Sequence, residues 1–150
     1  MANHVCNLLE VIGDEAQQQK VYDTLQGPNG VFDLQKILPV PDACAAPGHW
    51  KMRNWGTSGN TYYSERTDDT YCFDTPWSAP LAAVQELSRR FPDLIFILKW
   101  SDECISSNAG QAIYGAGETL ESFFAETDEE FRELYETCWG MPASRDEEDW

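Results

Sequence analysis

The sequence predicts an α+β fold: a ferredoxin-like antiparallel sheet with helices on one face, extended by one strand and an acidic C-terminal helix. Strand-like apolar runs and helix-like apolar stripes follow one another in the order β-α-β-β-α-β, and then comes a further strand and a helix. The 150 residues are 42% hydrophobic and 13% aromatic, which is enough for one buried core. We therefore predict a single domain over residues 1–142 and a frayed acidic tail over residues 143–150.

The first half of the chain contains a strand, a helix and a hairpin. Residues 5–12 form an apolar run that ends at Gly13, and Asp14 is placed to cap a helix over residues 15–26. The sequence QGPNG then breaks this helix. Residues 42–60 are predicted to be an irregular excursion that Trp50 and Trp55 pin to the core. Residues 61–66 and 70–75 follow as two hairpin strands.

The second half begins with a helix after the prolines of YCFDTPWSAP (residues 71–80). Ser78 is a plausible N-cap with Pro80 in the first turn, and an apolar stripe follows at helical spacing. The continuous apolar run LIFILKW predicts a central strand. The sequence GQAIYGAG predicts a last strand weakened by its glycines.

The C-terminal helix has the clearest sequence signals. Thr127 and Glu130 have the spacing of a capping box, and Gly140 is placed to end the helix. Its apolar stripe consists of Phe131, Leu134, Tyr135, Cys138 and Trp139. The acidic residues between these positions are therefore expected to face water or a partner.

Charge is the strongest functional indication in the sequence. The 26 acidic and 10 basic side chains give a net charge of −16, and residues 118–150 hold 12 of the acids against Arg132 and Arg145. Binding a phosphate backbone requires lysine and arginine to displace counterions. The sequence therefore disfavours direct binding to nucleic acid or to an anionic membrane, and a partner selected by charge should be basic.

The sequence shows no recognisable catalytic, metal-binding or cofactor-binding motif. Asp74 has only Arg66, Asp68 and Asp69 near it in sequence, so we interpret it as a turn cap at a strand end and not as a general acid. His4 and Cys6 share a strand face but lack a third ligand at a recognisable spacing. An unrecognised enzyme remains a less favoured alternative.

The sequence also indicates the cellular compartment. The five cysteines are scattered and form no CxxC pair, which is typical of reduced thiols in a cytoplasm. We see no signal peptide and no apolar run long enough to span a membrane. We therefore expect a cytoplasmic location.

A second alternative is an RNA-binding sheet. Aromatic residues on the predicted hairpin could stack on bases, as in other ferredoxin-like sheets. They are Tyr62, Tyr63, Tyr71 and Phe73. The net charge argues against this function.

Five segments in order carry a resemblance to a known family: MANHVCNLLEVIG, VFDLQKILPVP, NWGTSGN, FDTPWSAP with ELSRRFPDL, and NAGQAIYGAGE. Together, over residues 1–118, they resemble the YubB-like family of phage and plasmid proteins. The resemblance implies a ferredoxin-like fold and a mobile-element origin. That family has no established function, so it supplies no catalytic residues.

These observations lead to one functional hypothesis and its alternative. Spaced carboxylates could imitate a phosphate backbone and occupy the basic groove of a host defence complex, such as a CRISPR effector or a restriction enzyme. The alternative is a non-enzymatic interaction or regulatory module whose acidic face is only solvating. Trp50 and Trp55 are secondary partner-binding candidates. The acidic candidates are Glu126, Asp128, Glu129, Glu133, Glu136, Asp146, Glu147, Glu148 and Asp149.

Overall fold

The computed structural model describes residues 3–140 and confirms the predicted α+β fold. A six-stranded antiparallel sheet has the order β2-β3-β1-β4-β5-β6. The strands are β1 (His4–Ile12), β2 (Tyr62–Thr67), β3 (Thr70–Pro76), β4 (Ile95–Asp102), β5 (Ala109–Gly115) and β6 (Glu118–Phe124). The helices are α1 (Glu15–Leu25), α2 (Pro47–Asn54), α3 (Leu81–Arg90) and α4 (Asp128–Trp139), with a short 3₁₀ helix at Leu34–Lys36.

Strand β1 lies at the centre of the sheet, between β3 and β4, and its alternate residues face the main core. Val5, Leu9 and Val11 are fully buried there. The buried Asn7 lies on the same face, where its amide nitrogen donates to the Val5 carbonyl at 3.1 Å and to the Thr75 hydroxyl at 2.9 Å. The strand predicted from this apolar run therefore accommodates one buried polar residue, because the amide nitrogen of Asn7 has acceptors.

Helices α1 and α3 cover this face of the sheet, as predicted. Val21 and Leu25 of α1 and Val84 and Leu87 of α3 join the main core. Trp55, which follows α2, is fully buried in the same core and donates its Nε1–H to the Leu38 carbonyl at 2.8 Å. The prediction that Trp55 pins this part of the chain to the core is thus confirmed.

Helix α4 packs on the opposite face of the sheet. Cys6 points away from the main core because its β1 neighbours Val5 and Asn7 point into it. Its thiol donates to the carbonyl of Cys138, in the last turn of α4, at 3.0 Å. Leu134 and Ala109 form a separate small core beneath the helix. The acidic helix thus covers the second face of the sheet, in addition to the helices predicted on the first face.

Two local predictions were wrong, and one strand was missed. Residues 42–60 are not wholly irregular, because Pro47 begins α2 as the first helical residue. Ser78 does not cap α3; its hydroxyl donates to the Gly56 carbonyl at 2.7 Å, and Pro80 occupies the N-cap position. Strand β6 was not predicted at all. None of the helices within residues 3–140 is long and apolar enough to cross a membrane.

Candidate protein-interaction surface

The outer side of α4 and the residues just before it carry the predicted acidic candidates. Leu134, Tyr135 and Cys138 are buried against the sheet, so the remaining side of the helix faces outward. The candidates within residues 3–140 are all exposed: Glu126, Asp128, Glu129, Glu133 and Glu136. The exposure predicted from the apolar stripe is confirmed, and binding to a partner stays a prediction. The tail candidates Asp146, Glu147, Glu148 and Asp149 lie outside the described residues.

The N-terminus of α4 is fixed by the capping box that the sequence predicted. The Thr127 hydroxyl accepts from the Glu130 N–H at 3.1 Å, and the Glu130 carboxylate accepts from the N–H groups of Glu126 at 2.9 Å and Thr127 at 3.1 Å. These backbone donors lower the pKa of Glu130, because they stabilise its charged form. Glu130 therefore serves the helix itself, while the neighbouring acids remain directed outward.

The C-terminus of α4 is anchored to the sheet. The Trp139 indole donates to the Ser101 carbonyl at 2.9 Å, and the Cys6 thiol donates to the Cys138 carbonyl. Gly140 ends the helix with a φ of 68°, a left-handed conformation that glycine adopts without strain. With both ends fixed, the helix holds its outer carboxylates on a rigid support.

The carboxylates greatly outnumber the cations that could neutralise them. Four acids and one base belong to residues 141–150, so residues 3–140 hold 22 acidic and nine basic side chains. Two of these bases are shared by one acid, since Arg89 and Arg90 both pair with Glu86. The guanidinium of Arg66 lies 4.4 Å from the centre of the Tyr22 ring. The negative field of the described part of the chain is therefore largely uncompensated from within.

The two tryptophan candidates differ in exposure. Trp55 is fully buried, so proposing it as a partner contact was wrong: the core already occupies its whole surface. Trp50 is half-buried and packs edge-on against Trp55, with ring centroids 5.9 Å apart. Only Trp50 remains available as a secondary contact.

Two of the four hairpin aromatics are buried and therefore cannot stack on bases. Tyr71 is 1% exposed and Phe73 is fully buried in the main core, where Phe73 stacks on Phe32. Tyr63 alone of the hairpin aromatics is widely exposed. A pair of neighbouring exposed rings, which RRM-type RNA binding uses, is absent from these strands in the described structure.

Three cysteines that are far apart in sequence come together at the C-terminal end of α4. Cys6 Sγ lies 4.0 Å from Cys72 Sγ and 3.0 Å from the Cys138 carbonyl oxygen. A thiol has one proton, and the carbonyl is the nearer and stronger acceptor for it. Burial raises the pKa of Cys138 to about 12, which keeps that thiol protonated. This geometry indicates a packing role for Cys6 and Cys138.

Cys72 lies at the edge of an acidic cleft. The cleft has a volume of about 470 Å³ and is bounded by the last turn of α4 and by the β2–β3 hairpin. Its walls include Glu65, Asp68 and Asp69. No group of three histidine, cysteine, aspartate or glutamate side chains within residues 3–140 is arranged to hold a metal ion.

Asp74 has titratable neighbours that the sequence analysis missed. It lies inside β3 and not at a turn, directly opposite Cys6 of β1 and Tyr62 of β2. His4 Nδ1 lies 2.5 Å from the Tyr62 hydroxyl. Burial raises the pKa of Asp74, and nearby His4 opposes the rise. The interpretation of Asp74 as a turn cap was wrong, because its partners come from other strands.

A further exposed surface was also missed because β6 was not predicted. All seven residues of β6 are exposed. The exposed side chains include Leu120 at 54%, Phe123 at 37% and Phe124 at 60%. Sequence periodicity could not reveal this strand, since neither of its faces is buried.

Comparisons with known proteins place the chain in a family. A family model described as the ferredoxin-like domain in Api92-like protein matches residues 57–143, which is more than half of the chain and includes α4. A search of curated proteins finds no match. Among solved structures, the crystal structure of a protein api92 from Yersinia pseudotuberculosis matches with a TM-score of 0.50 and 13% identity.

The structural match is partial, and at this identity it shows the fold alone. It covers 63% of this chain and 40% of the api92 chain, so the matched region spans well under half the length of that protein. The ferredoxin-like domain expected from the order of elements agrees with both matches. By the extent of the family match, this chain belongs to the family of ferredoxin-like domains found in Api92-like proteins.

Proposed function

We propose that this protein binds a basic, nucleic-acid-binding surface of another protein through the carboxylates on the outer side of α4. The proposed partner is a host defence complex in the cytoplasm, such as a CRISPR effector or a restriction enzyme. The resemblance to YubB-like proteins of phages and plasmids supports this setting, because a mobile element benefits from blocking host defence. The protein itself would contact no nucleic acid.

The observation that carries the proposal is the rigid, outward-facing set of acids on a helix fixed at both ends. Glu129 and Glu133 are four residues apart and therefore share one side of α4. Arginines that hold phosphate can pair with such carboxylates through two parallel hydrogen bonds. A rigid acidic surface meets those arginines without the entropy cost of ordering a flexible chain.

The spacing of these acids determines how closely the charge density of α4 matches that of DNA. Glu129 and Glu136 are seven residues apart, or about 10.5 Å along the helix axis. Duplex DNA carries about one charge per 1.7 Å of axis, or roughly six over the same length. Glu129, Glu133 and Glu136 supply about half that density. Asp128 at the start of the helix and Glu126 just before it must therefore contribute as well.

A solvating role for the same acids is the competing hypothesis. Asp128, Glu129 and Glu130 lie in the first turn of α4, where negative charge is favourable next to the N-terminal end of the helix dipole. Their presence could therefore serve helix stability and solubility within a non-enzymatic interaction or regulatory module. The two hypotheses differ in whether the position of the charge matters or only its amount.

A test in cells can separate position from amount. The protein is expressed in bacteria that carry a restriction system or a CRISPR system, and the plating efficiency of a sensitive phage is measured. A triple variant, Glu126→Lys, Glu129→Lys and Glu133→Lys, reverses the acidic surface. A control variant, Asp23→Lys, Asp42→Lys and Asp93→Lys, makes the same change in net charge at exposed positions away from α4.

The proposal expects the parent and the control variant to protect the phage and the α4 variant to fail, with all three folded by circular dichroism. Equal protection by the α4 variant and its parent would show that the acids only solvate the domain. Absence of protection by the parent in both systems would remove host defence as the target.

A further inference from the structure

In the described part of the chain, residues 3–140, strand β6 leaves one edge of the sheet open. It is the last strand in the sheet order, and within residues 3–140 it pairs with β5 alone. At the opposite edge, another segment of the chain lies beside β2: the Val31 N–H donates to the Ser64 hydroxyl at 3.1 Å, and the Asn29 amide donates to the carbonyl of Thr61, just before the strand. The open backbone groups of a sheet edge are a template for pairing with another chain.

The ladder itself shows which groups of β6 point outward. The Ala125 N–H donates to the Ala109 carbonyl at 2.9 Å, so Ala125 faces β5. Backbone groups of an antiparallel strand alternate in direction along the strand. Glu121 and Phe123 therefore bond to β5, while Ser122 and Phe124 present their N–H and C=O groups to the open edge.

The side chains of β6 combine apolar surface with negative charge. Leu120, Phe123 and Phe124 are large and exposed, and Glu118 and Glu121 flank them. Because side chains alternate between the two faces of a strand, Phe123 lies on the same face as Glu121 and Phe124 lies on the opposite face. Exposed apolar groups beside polar ones are typical of interaction surfaces. A second copy of this chain would bring another net charge of −16 to this edge, so charge disfavours self-association and favours a basic partner.

A bulge limits the stretch of β6 that can accept a new strand. The register with β5 shifts between Ile113 and Tyr114, which leaves Leu120 as an extra residue on β6. Pairing in regular register is therefore possible only over residues 121–124. A short pairing segment protects an open edge from unlimited aggregation and still allows a specific contact.

We propose that the open edge of β6 binds an extended, basic segment of the partner protein as a seventh strand. The segment pairs its backbone with Ser122 and Phe124, places lysine or arginine beside Glu118 and Glu121 on one face of the sheet, and packs apolar side chains on Phe124 on the other face. This mode of binding is β-strand addition, in which main-chain hydrogen bonds supply affinity and side chains supply selectivity. The inference rests on the proposed function, since it specifies how the basic partner is held.

The test uses the full chain labelled with ¹⁵N and a synthetic peptide of alternating lysine and valine as the probe. Amide hydrogen exchange is measured by NMR with and without the peptide at ten times its Kd. The amides of Ser122 and Phe124 should exchange about tenfold more slowly in the complex. Those of Glu121 and Phe123 should change little, because they already bond to β5. Poly-lysine serves as a control that matches charge without favouring a strand.

Two variants test the same contact by affinity. Ser122→Pro removes an N–H that faces the open edge, and proline is tolerated on an edge strand at such a position. Ser122→Ala keeps that N–H and is the matched control. The peptide should bind Ser122→Pro about tenfold more weakly than Ser122→Ala, as expected for the loss of one backbone hydrogen bond.

The outcomes separate this inference from the proposed function. Peptide binding without protection of Ser122 and Phe124, equal protection by poly-lysine, equal affinity of the two Ser122 variants, or no binding at all would overturn strand addition. The cell assay can still succeed in those cases, and the acidic surface of α4 would then act without the β6 edge. If the α4 variant protects phage as its parent does while the amides are protected by the peptide, the β6 edge stands and the α4 proposal falls.

Discussion

Asp74 illustrates how a single carboxyl group takes its properties from distant parts of the chain. Its β3 position sets it opposite Cys6 and Tyr62, and burial raises its pKa. The same surroundings raise the pKa of Tyr62 to about 12, chiefly by burial and also through the charge of Asp74. Folding therefore costs the charged form of Asp74 more free energy than it costs the neutral form.

This pKa shift predicts a pH-dependent effect of Asp74→Asn. A folded-state pKa above the ordinary value of 3.8 means that the folded protein binds the proton more tightly than the unfolded chain. The charge of Asp74 therefore lowers stability above its folded pKa, and this cost vanishes below the unfolded pKa. Asp74→Asn should raise the free energy of unfolding at pH 7 and leave it nearly unchanged near pH 3.

Urea unfolding at the two pH values measures this difference. Asp93→Asn, at an exposed site between α3 and β4, is the control and should change stability little at either pH. A loss of stability in Asp74→Asn at both pH values would instead show that the carboxylate makes an essential hydrogen bond.

At the scale of elements, α4 depends on its cap. The Thr127 hydroxyl satisfies the Glu130 N–H, which otherwise has no partner within the helix. Thr127→Ala should lower the free energy of unfolding by about 1 kcal/mol. Thr137→Ala is the matched control on the same helix, since its hydroxyl donates to the Glu133 carbonyl and caps nothing. Chemical denaturation of both variants makes the comparison, and equal stabilities would contradict the capping role.

The elements also show what a sequence can predict here. Helix α4 combines a cap, an apolar stripe and a terminal glycine, all of them local, so its bounds could be predicted closely. Helix α2 has no buried residue and hence no apolar period, although Pro47 was a usable start signal. Strand β6 is exposed on both faces, so neither alternation nor a continuous apolar run marks it.

In the candidate site, too, some features could be predicted from local sequence and others could not. The exposed acids of α4 followed from helical spacing, which is a local property. The neighbours of Asp74, the convergence of Cys6, Cys72 and Cys138, and the burial of Trp55 depend on which strands pair and which layer covers them. These contacts join residues as far as 132 positions apart and could not be derived from spacing.

At the scale of the whole molecule, the net charge of −16 predicts how partner binding responds to salt. Opposite charges steer two proteins toward each other before they touch. At 0.1 M salt, dissolved ions screen this attraction beyond about 10 Å. Affinity for the partner should therefore fall steeply as salt rises, with the association rate changing most. Surface plasmon resonance of the partner recovered at low salt measures both rates. Salt-insensitive binding would indicate an apolar interface in place of an acidic one.

Competition with DNA tests the central claim most directly. If the acids of α4 occupy a nucleic-acid-binding surface, the protein and a DNA duplex cannot bind the partner together. Titrating duplex into the immobilised complex should release the protein, and raising the protein concentration should restore binding, as expected for a shared site. The α4 variant with three lysines should not bind, while the control variant should compete like the parent. Simultaneous binding of DNA and protein to one partner molecule would contradict the account.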